Sequence, residues 1–98
     1  MSTSEKAPSS PAAKFFVAGV DLGQKLDHSA VAVVGKRDKE FDLILLKQFE
    51  LGTEYASVLG YLKLLSENLH DLRRIMIDQT GVGETFMSMA ISSGLKNA

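Results

Sequence analysis

The feature that most constrains the fold of this chain is a change of apolar period after Gly52. Before that glycine, short runs rich in Val, Ile, Leu and Phe are separated by turn residues, which is typical of β-strands. After it, apolar residues recur at the i, i+3, i+4, i+7 spacing of an amphipathic helix, and a further apolar run follows at Arg74–Asp78. Strands followed by a helix and a returning strand indicate an α/β fold.

The sequence of the first half of the chain predicts three strands joined by short connections. They are Phe15–Asp21, Ser29–Val34 and about Phe41–Phe49. A charged loop containing Gly35 separates the second strand from the third. Because short loops leave no room for a parallel crossover, these strands should form an antiparallel meander.

The second half predicts helix, strand and helix. Thr53 is the expected N-cap of the first helix, and the basic segment His70–Arg74 is expected at its C-terminus, where positive charge suits the helix dipole. Gly60 inside this helix indicates either a close neighbouring backbone or a penalty that packing offsets. A right-handed crossover would place the fourth strand parallel to an existing one. The second helix is expected over Glu84–Ser92. The apolar stripe of the first helix consists of Tyr55, Val58, Leu59, Leu62, Leu65 and Leu69.

Composition limits the classes of function. The 98 residues fit one domain over residues 15–98, preceded by a Ser/Pro-rich stretch, residues 1–14, that should be a disordered tail or linker. The net charge of -1 gives no global positive field for nucleic acid, and the absence of cysteine excludes disulfides and thiol chemistry. The longest apolar run is too short to span a membrane, and no import or secretion signal is recognisable. We expect a cytoplasmic protein.

Two aspartates are placed where α/β sheets carry their sites. Asp21 and Asp78 each follow an apolar β-rich run and precede a turn containing glycine. The carboxyl ends of strands form the binding edge of such sheets, and parallel neighbours would bring the two carboxylates close enough to share a divalent ion. Capping or initiating a turn is the more frequent use of an aspartate beside glycine. Position alone therefore leaves both interpretations open.

The sequence motifs around these aspartates resemble those of a known family. The stretch Gly19–Gly23 followed by Asp27–Val34 is similar to the opening hairpin of the nuclease domain in large terminase subunits of tailed viruses, which has an RNase H-like fold. The stretch Ile77–Gly83 resembles the second signature of that family, an aspartate ending the fourth strand before a Thr-Gly-x-Gly turn. The resemblance extends over about Phe15–Leu95.

The resemblance implies a divalent-metal-dependent DNA endonuclease of viral or prophage origin that cuts concatemeric double-stranded DNA during genome packaging in the host cytoplasm. Asp21 would bridge two Mg²⁺ or Mn²⁺ ions and Asp78 would be the second ligand. A packaging ATPase and portal components would be its partners. This chain has no phosphate loop, so we expect no motor activity from it. It also has no counterpart of the family's third acidic ligand, so we expect an RNase H-like mixed sheet that is truncated before its fifth strand and inactive as a fragment. The exposed sheet edge should make the fragment prone to self-association.

Other residues and other classes remain open. Lys25 and His28, in the loop after the first strand, are weak candidates for nucleic-acid contact, and solvated side chains are the simpler interpretation. Glu84 suits the N-terminus of the second helix better than a metal. A nucleotide-binding module like actin and the heat-shock chaperone ATPases shares the Gly-Val-Asp-Leu-Gly opening but needs hydroxyl residues after Gly23, which this chain lacks. A resolvase-like nuclease and a noncatalytic structural fragment are further alternatives.

Overall fold

The computed structural model describes residues 13–23, 27–78 and 82–95. These form a four-stranded open mixed sheet with two helices. In chain order the elements are β1 (Phe15–Asp21), β2 (Ala30–Arg37), β3 (Glu40–Gln48), α1 (Tyr55–Asn68), β4 (Leu72–Ile77) and α2 (Gly83–Ser92). The α/β class and the predicted order of elements are confirmed. The expected tail lies almost wholly outside the described residues.

The sheet has the strand order β3-β2-β1-β4. β1 pairs with β2 and β2 with β3 in antiparallel register, whereas β4 pairs with β1 in parallel. The short β2–β3 connection, Asp38–Lys39, turns through a left-handed Asp38, a conformation that aspartate tolerates better than most residues. The parallel pair confirms the crossover that the sequence predicted, and it leaves β3 and β4 as the edge strands of the described sheet.

One face of the sheet carries the core. Alternate residues of β1 and β2, among them Ala18 and Val33, are fully buried, and both helices contribute to the same cluster. Phe86 of α2 packs edge-on against Tyr55 of α1, with ring centroids 6.2 Å apart, so the two helices share this layer. The interior is apolar, with Leu62 also fully buried.

Local details around α1 differ from the sequence prediction. The N-cap is Glu54, without a side-chain cap bond, while the Thr53 hydroxyl donates to the Glu50 carbonyl in the preceding turn. Gly60 is exposed with open space around it, so of the two alternatives the close neighbouring backbone is excluded. Packing of the buried stripe offsets its helix penalty.

The basic segment does not end α1, which stops at Asn68. Arg73 and Arg74 belong to β4, where a register shift between Phe16 and Val17 accommodates them. The Arg73 guanidinium lies 4.4 Å from the centre of the Phe15 ring, a cation–π contact. The predicted dipole role of this segment is therefore wrong. Neither described helix has both the length and the apolar character needed to cross a membrane.

Candidate functional site

The two candidate aspartates occupy equivalent positions on neighbouring parallel strands. Asp21 is the last residue of β1, and Asp78 directly follows β4. The register pairs Val20 with Ile77, so each aspartate is the next residue after a paired position. Because paired strands lie about 4.8 Å apart, the two residues sit side by side at the carboxyl edge of the sheet. The predicted adjacency of the first and fourth strands is thus present.

Side-chain alternation points both aspartates away from the helices. Val20 and Ile77 are buried in the helix-covered face, at 6% and 8% exposure. Successive side chains of a strand point to opposite faces, so the residues that follow should be directed toward the other, open face. Asp21 and Asp78 are both exposed, which agrees with this alternation. Solvent and cations therefore have access to this edge.

Two carboxylates form only part of a metal site. Their oxygens are ligands that hard divalent cations prefer, but such ions take about six oxygen ligands in total. Within residues 13–23, 27–78 and 82–95, no three His, Asp or Glu side chains are grouped closely enough to hold an ion. Asp21 and Asp78 therefore fit two positions of a cation site, and the described chain supplies no third acid.

The backbone at Gly23, two residues after Asp21, is held by contacts that the sequence analysis missed. The Gly23 N–H donates to the Ser29 hydroxyl oxygen at 2.9 Å, and the Gly23 carbonyl accepts a bond from the Tyr55 hydroxyl at 2.6 Å. A Cβ on Gly23 would overlap the Asp27 backbone carbonyl. Gly23 is thereby tied to the start of β2 and to the first turn of α1. Ser29 is the single buried polar side chain among the described residues, at 5% exposure.

A second glycine packs against Asp78. Gly83, the first residue of α2, leaves no room for a Cβ because the Asp78 carbonyl oxygen lies in that space. The strand end and the helix start are therefore in direct backbone contact. Glu84 is exposed in the first turn of α2, where its charge suits the helix N-terminus. This placement favours the helix-dipole interpretation of Glu84.

His28 has a defined orientation rather than a freely solvated ring. Its Nδ1 lies 2.7 Å from the Phe49 carbonyl oxygen, an acceptor, so Nδ1 carries the proton and donates. In the neutral ring this leaves a lone pair on Nε2, and the residue is exposed. His28 is thus available to a polar ligand near the carboxyl edge. Lys25, the other weak candidate, lies outside the described residues.

Two hollows lie at or near this edge. One, of about 450 Å³, has three acidic residues in its lining, Asp27, Glu50 and Glu54, and their negative charge disfavours a phosphate. The other, about 330 Å³ and shallow, lies beside Asp21 on the open face, over small residues that include Gly19, Ala30 and Ala32. The second hollow is the better candidate for a ligand that approaches the aspartates.

Comparison of the chain with protein-family models, with characterised proteins and with solved structures gave no match.

Proposed function

We propose that this chain carries an RNase H-like nuclease fold of terminase type, that of a divalent-metal-dependent endonuclease acting on double-stranded DNA during viral genome packaging. The resemblance around Asp21 and Asp78 motivates the proposal. The observation that carries it is the parallel, in-register pairing of β1 with β4, which sets the two aspartates side by side. A pair of turn-initiating aspartates would not need this adjacency.

The chemistry follows from what the two carboxylates can hold. Asp21 and Asp78 would bind Mg²⁺ or Mn²⁺ at the carboxyl edge, and a further acid from outside the described residues would complete the site. Bound there, the cations would activate water and stabilise the leaving oxygen of a phosphodiester. The contacts at Gly23 and Gly83 hold the backbone beside each aspartate, which favours preorganised ligands.

The first test is metal binding by this chain. Mn²⁺ titrated into isotope-labelled protein should broaden the amide signals next to Asp21 and Asp78 first, because paramagnetic broadening is local. Asp21→Asn should weaken binding at least about tenfold, since an amide oxygen carries no charge to hold the ion. Asp78→Asn should act in the same direction.

Asp71→Asn is the matched control for metal binding. Asp71 precedes β4 at the opposite end of that strand, and its left-handed backbone, φ 61°, suits asparagine. It should leave Mn²⁺ affinity unchanged. Broadening centred on the opposite end of the sheet, or equal loss with Asp71→Asn, would contradict the proposed site.

The second test is DNA cleavage. The 98-residue chain should nick plasmid weakly or not at all, and a chain extended by the residues encoded after Ala98 should nick it with Mg²⁺ or Mn²⁺ and stop on addition of EDTA. Asp21→Asn in the extended chain should abolish nicking while leaving the circular dichroism spectrum unchanged. Nicking that survives Asp21→Asn would reject the assignment, and ATP hydrolysis without nicking would favour the actin-like class.

A further inference from the structure

The face of the sheet opposite the helices is apolar, and no described element covers it. Four large side chains on it are 60% to 64% exposed: Phe41, Leu43 and Leu46 of β3 and Met76 of β4. The strand registers place smaller apolar residues between them: Val17 and Gly19 of β1 and Ala30, Ala32 and Val34 of β2. This set, together with Phe15, is called the open face below.

The size of the open face matches a protein interface. Four strands about 4.8 Å apart and roughly seven residues long give a footprint of roughly 20 by 23 Å. Side-chain relief raises its accessible area toward the ~800 Å² that each partner buries in a standard interface. Isolated monomers rarely carry an apolar patch above about 300 to 600 Å². Leaving this surface in water is therefore unfavourable.

Charge is distributed unevenly between the two ends of the open face. One end is basic: Lys36 lies 4.3 Å from the centre of the Phe41 ring, Arg73 covers Phe15, and Arg74 is exposed beside them. The other end is acidic and carries Asp21 and Asp78. A surface that is apolar in the middle, basic at one end and acidic at the other is complementary to itself when two copies meet with their strands antiparallel.

We propose that two copies of this chain associate through the open face, as a two-fold symmetric sandwich of two sheets. The register puts Met76, Gly19, Ala32 and Leu46 in one row across the middle of the sheet. With the two-fold axis along this row, Leu46 meets its own counterpart. Arg74, two residues before Met76, then lies over Asp78 of the second copy, two residues after Met76. The sheets pack about 10 Å apart, the usual spacing of a sandwich.

This inference does not rest on the proposed nuclease activity, since it uses only the apolar row and the distribution of charge. The dimer would cover the hollow beside Asp21 and pair Asp78 with Arg74, so dimer formation and metal binding would compete. It also differs from pairing of the exposed β4 edge, which would extend the sheet sideways and leave the open face in water. The two modes give different responses to substitution on β3, because β3 lies at the far edge from β4.

The test is sedimentation equilibrium of the full chain over a range of micromolar concentrations. The unmodified chain should form dimers, and Leu46→Glu should weaken the dimer at least about a hundredfold because it places like charges opposite each other at the two-fold axis. Met76→Glu, on the other edge strand, should act alike. Leu64→Glu is the matched control, since Leu64 is 60% exposed on the outer side of α1 and should leave the dimer unchanged.

A charge exchange tests the antiparallel arrangement. Arg74→Asp should weaken the dimer, and adding Asp78→Arg in the same chain should restore it. Circular dichroism of each variant checks that the fold is retained. Any of four outcomes would overturn the proposal. The unmodified chain could be monomeric, or Leu64→Glu could weaken the dimer as much as Leu46→Glu. Association could survive both Leu46→Glu and Met76→Glu, or the charge exchange could fail to restore the dimer. Retention after both substitutions would point to edge pairing or to another surface.

Discussion

The helix-covered face and the open face belong to the same four strands, yet they carry different chemistry. The buried core on the covered face, with Ala18, Val33 and Ile75, contains no charged residue among those described, so its composition is dictated by packing against α1 and α2. The open face is also apolar at its centre but carries charged residues at both ends, including Asp21 and Asp78. Packing alone does not require those charges. The covered face thus specifies the fold, and the open face is the candidate binding surface.

The largest expected effect compares two adjacent residues of β4 that point to opposite faces. Ile75 is 1% exposed and Met76 is 60% exposed. Ile75→Ala should lower the free energy of unfolding by about 2 to 5 kcal/mol, because it removes buried methyl groups and leaves a cavity. Met76→Ala should change it by less than about 0.5 kcal/mol in a monomer. Urea unfolding at low protein concentration measures both.

Similar losses for the two variants would mean that the open face is also packed in solution. If the loss for Met76→Ala grows with protein concentration, the second copy is what packs there, because dimer stability depends on concentration. The Ile75→Ala and Met76→Ala substitutions therefore test whether the open face is packed in solution as the covered face is.

The next effect extends the comparison to the helices that form the cover. Gly83 is buried against Asp78, whereas Gly60 is exposed with open space around it. Gly83→Ala should destabilise the protein by about 1 to 3 kcal/mol, since the added methyl group must displace backbone. Gly60→Ala should stabilise it by about 1 kcal/mol through helix propensity. Thermal and urea unfolding of the two variants would show changes of opposite sign, and the same sign for both would contradict the difference in packing.

The sequence predicted those parts of the fold that depend on local period. Apolar alternation located the strands, the helical spacing located α1, and the crossover rule gave the parallel pairing of β1 with β4. Together these predict that Asp21 and Asp78 lie at one edge of the sheet. The pairing was predictable because it follows from connection length and handedness, which are properties of the chain order.

The remaining details depend on distant contacts, which a local pattern does not contain. Tyr55 appeared only as part of an apolar stripe, yet its hydroxyl binds the Gly23 carbonyl, 32 residues away in sequence. Arg73 and Arg74 suit a helix C-terminus by charge alone, but the register of β4 against β1 decides their place. The hydroxyl of Thr53 bonds within its own turn instead of capping α1. The Arg73–Arg74 prediction failed because a distant strand pairing decides their place, and the Thr53 prediction failed because a second local bond, to Glu50, replaces the cap.

The smallest expected effect is a pH dependence that belongs to the covered layer. Tyr61 is half-buried on α1, with its ring edge-on to Phe49 at 5.4 Å, and burial raises the pKa of its phenol above the ordinary value of 10.0. At a pH above 10.0 and below the raised pKa, the unfolded chain has lost the phenol proton while the folded chain retains it. The unfolded state then binds fewer protons, so stability should fall as pH rises through this window and should be unaffected by Tyr61 below it.

Tyr61→Phe keeps the ring and removes the ionisable group, so the variant should lose less stability than the parent chain in this alkaline window. Urea unfolding of both proteins across that range measures the difference, which is modest because the phenol is still partly in contact with water. Parallel pH profiles for the two chains would show that the Tyr61 hydroxyl is solvated and that the covered layer ends before it.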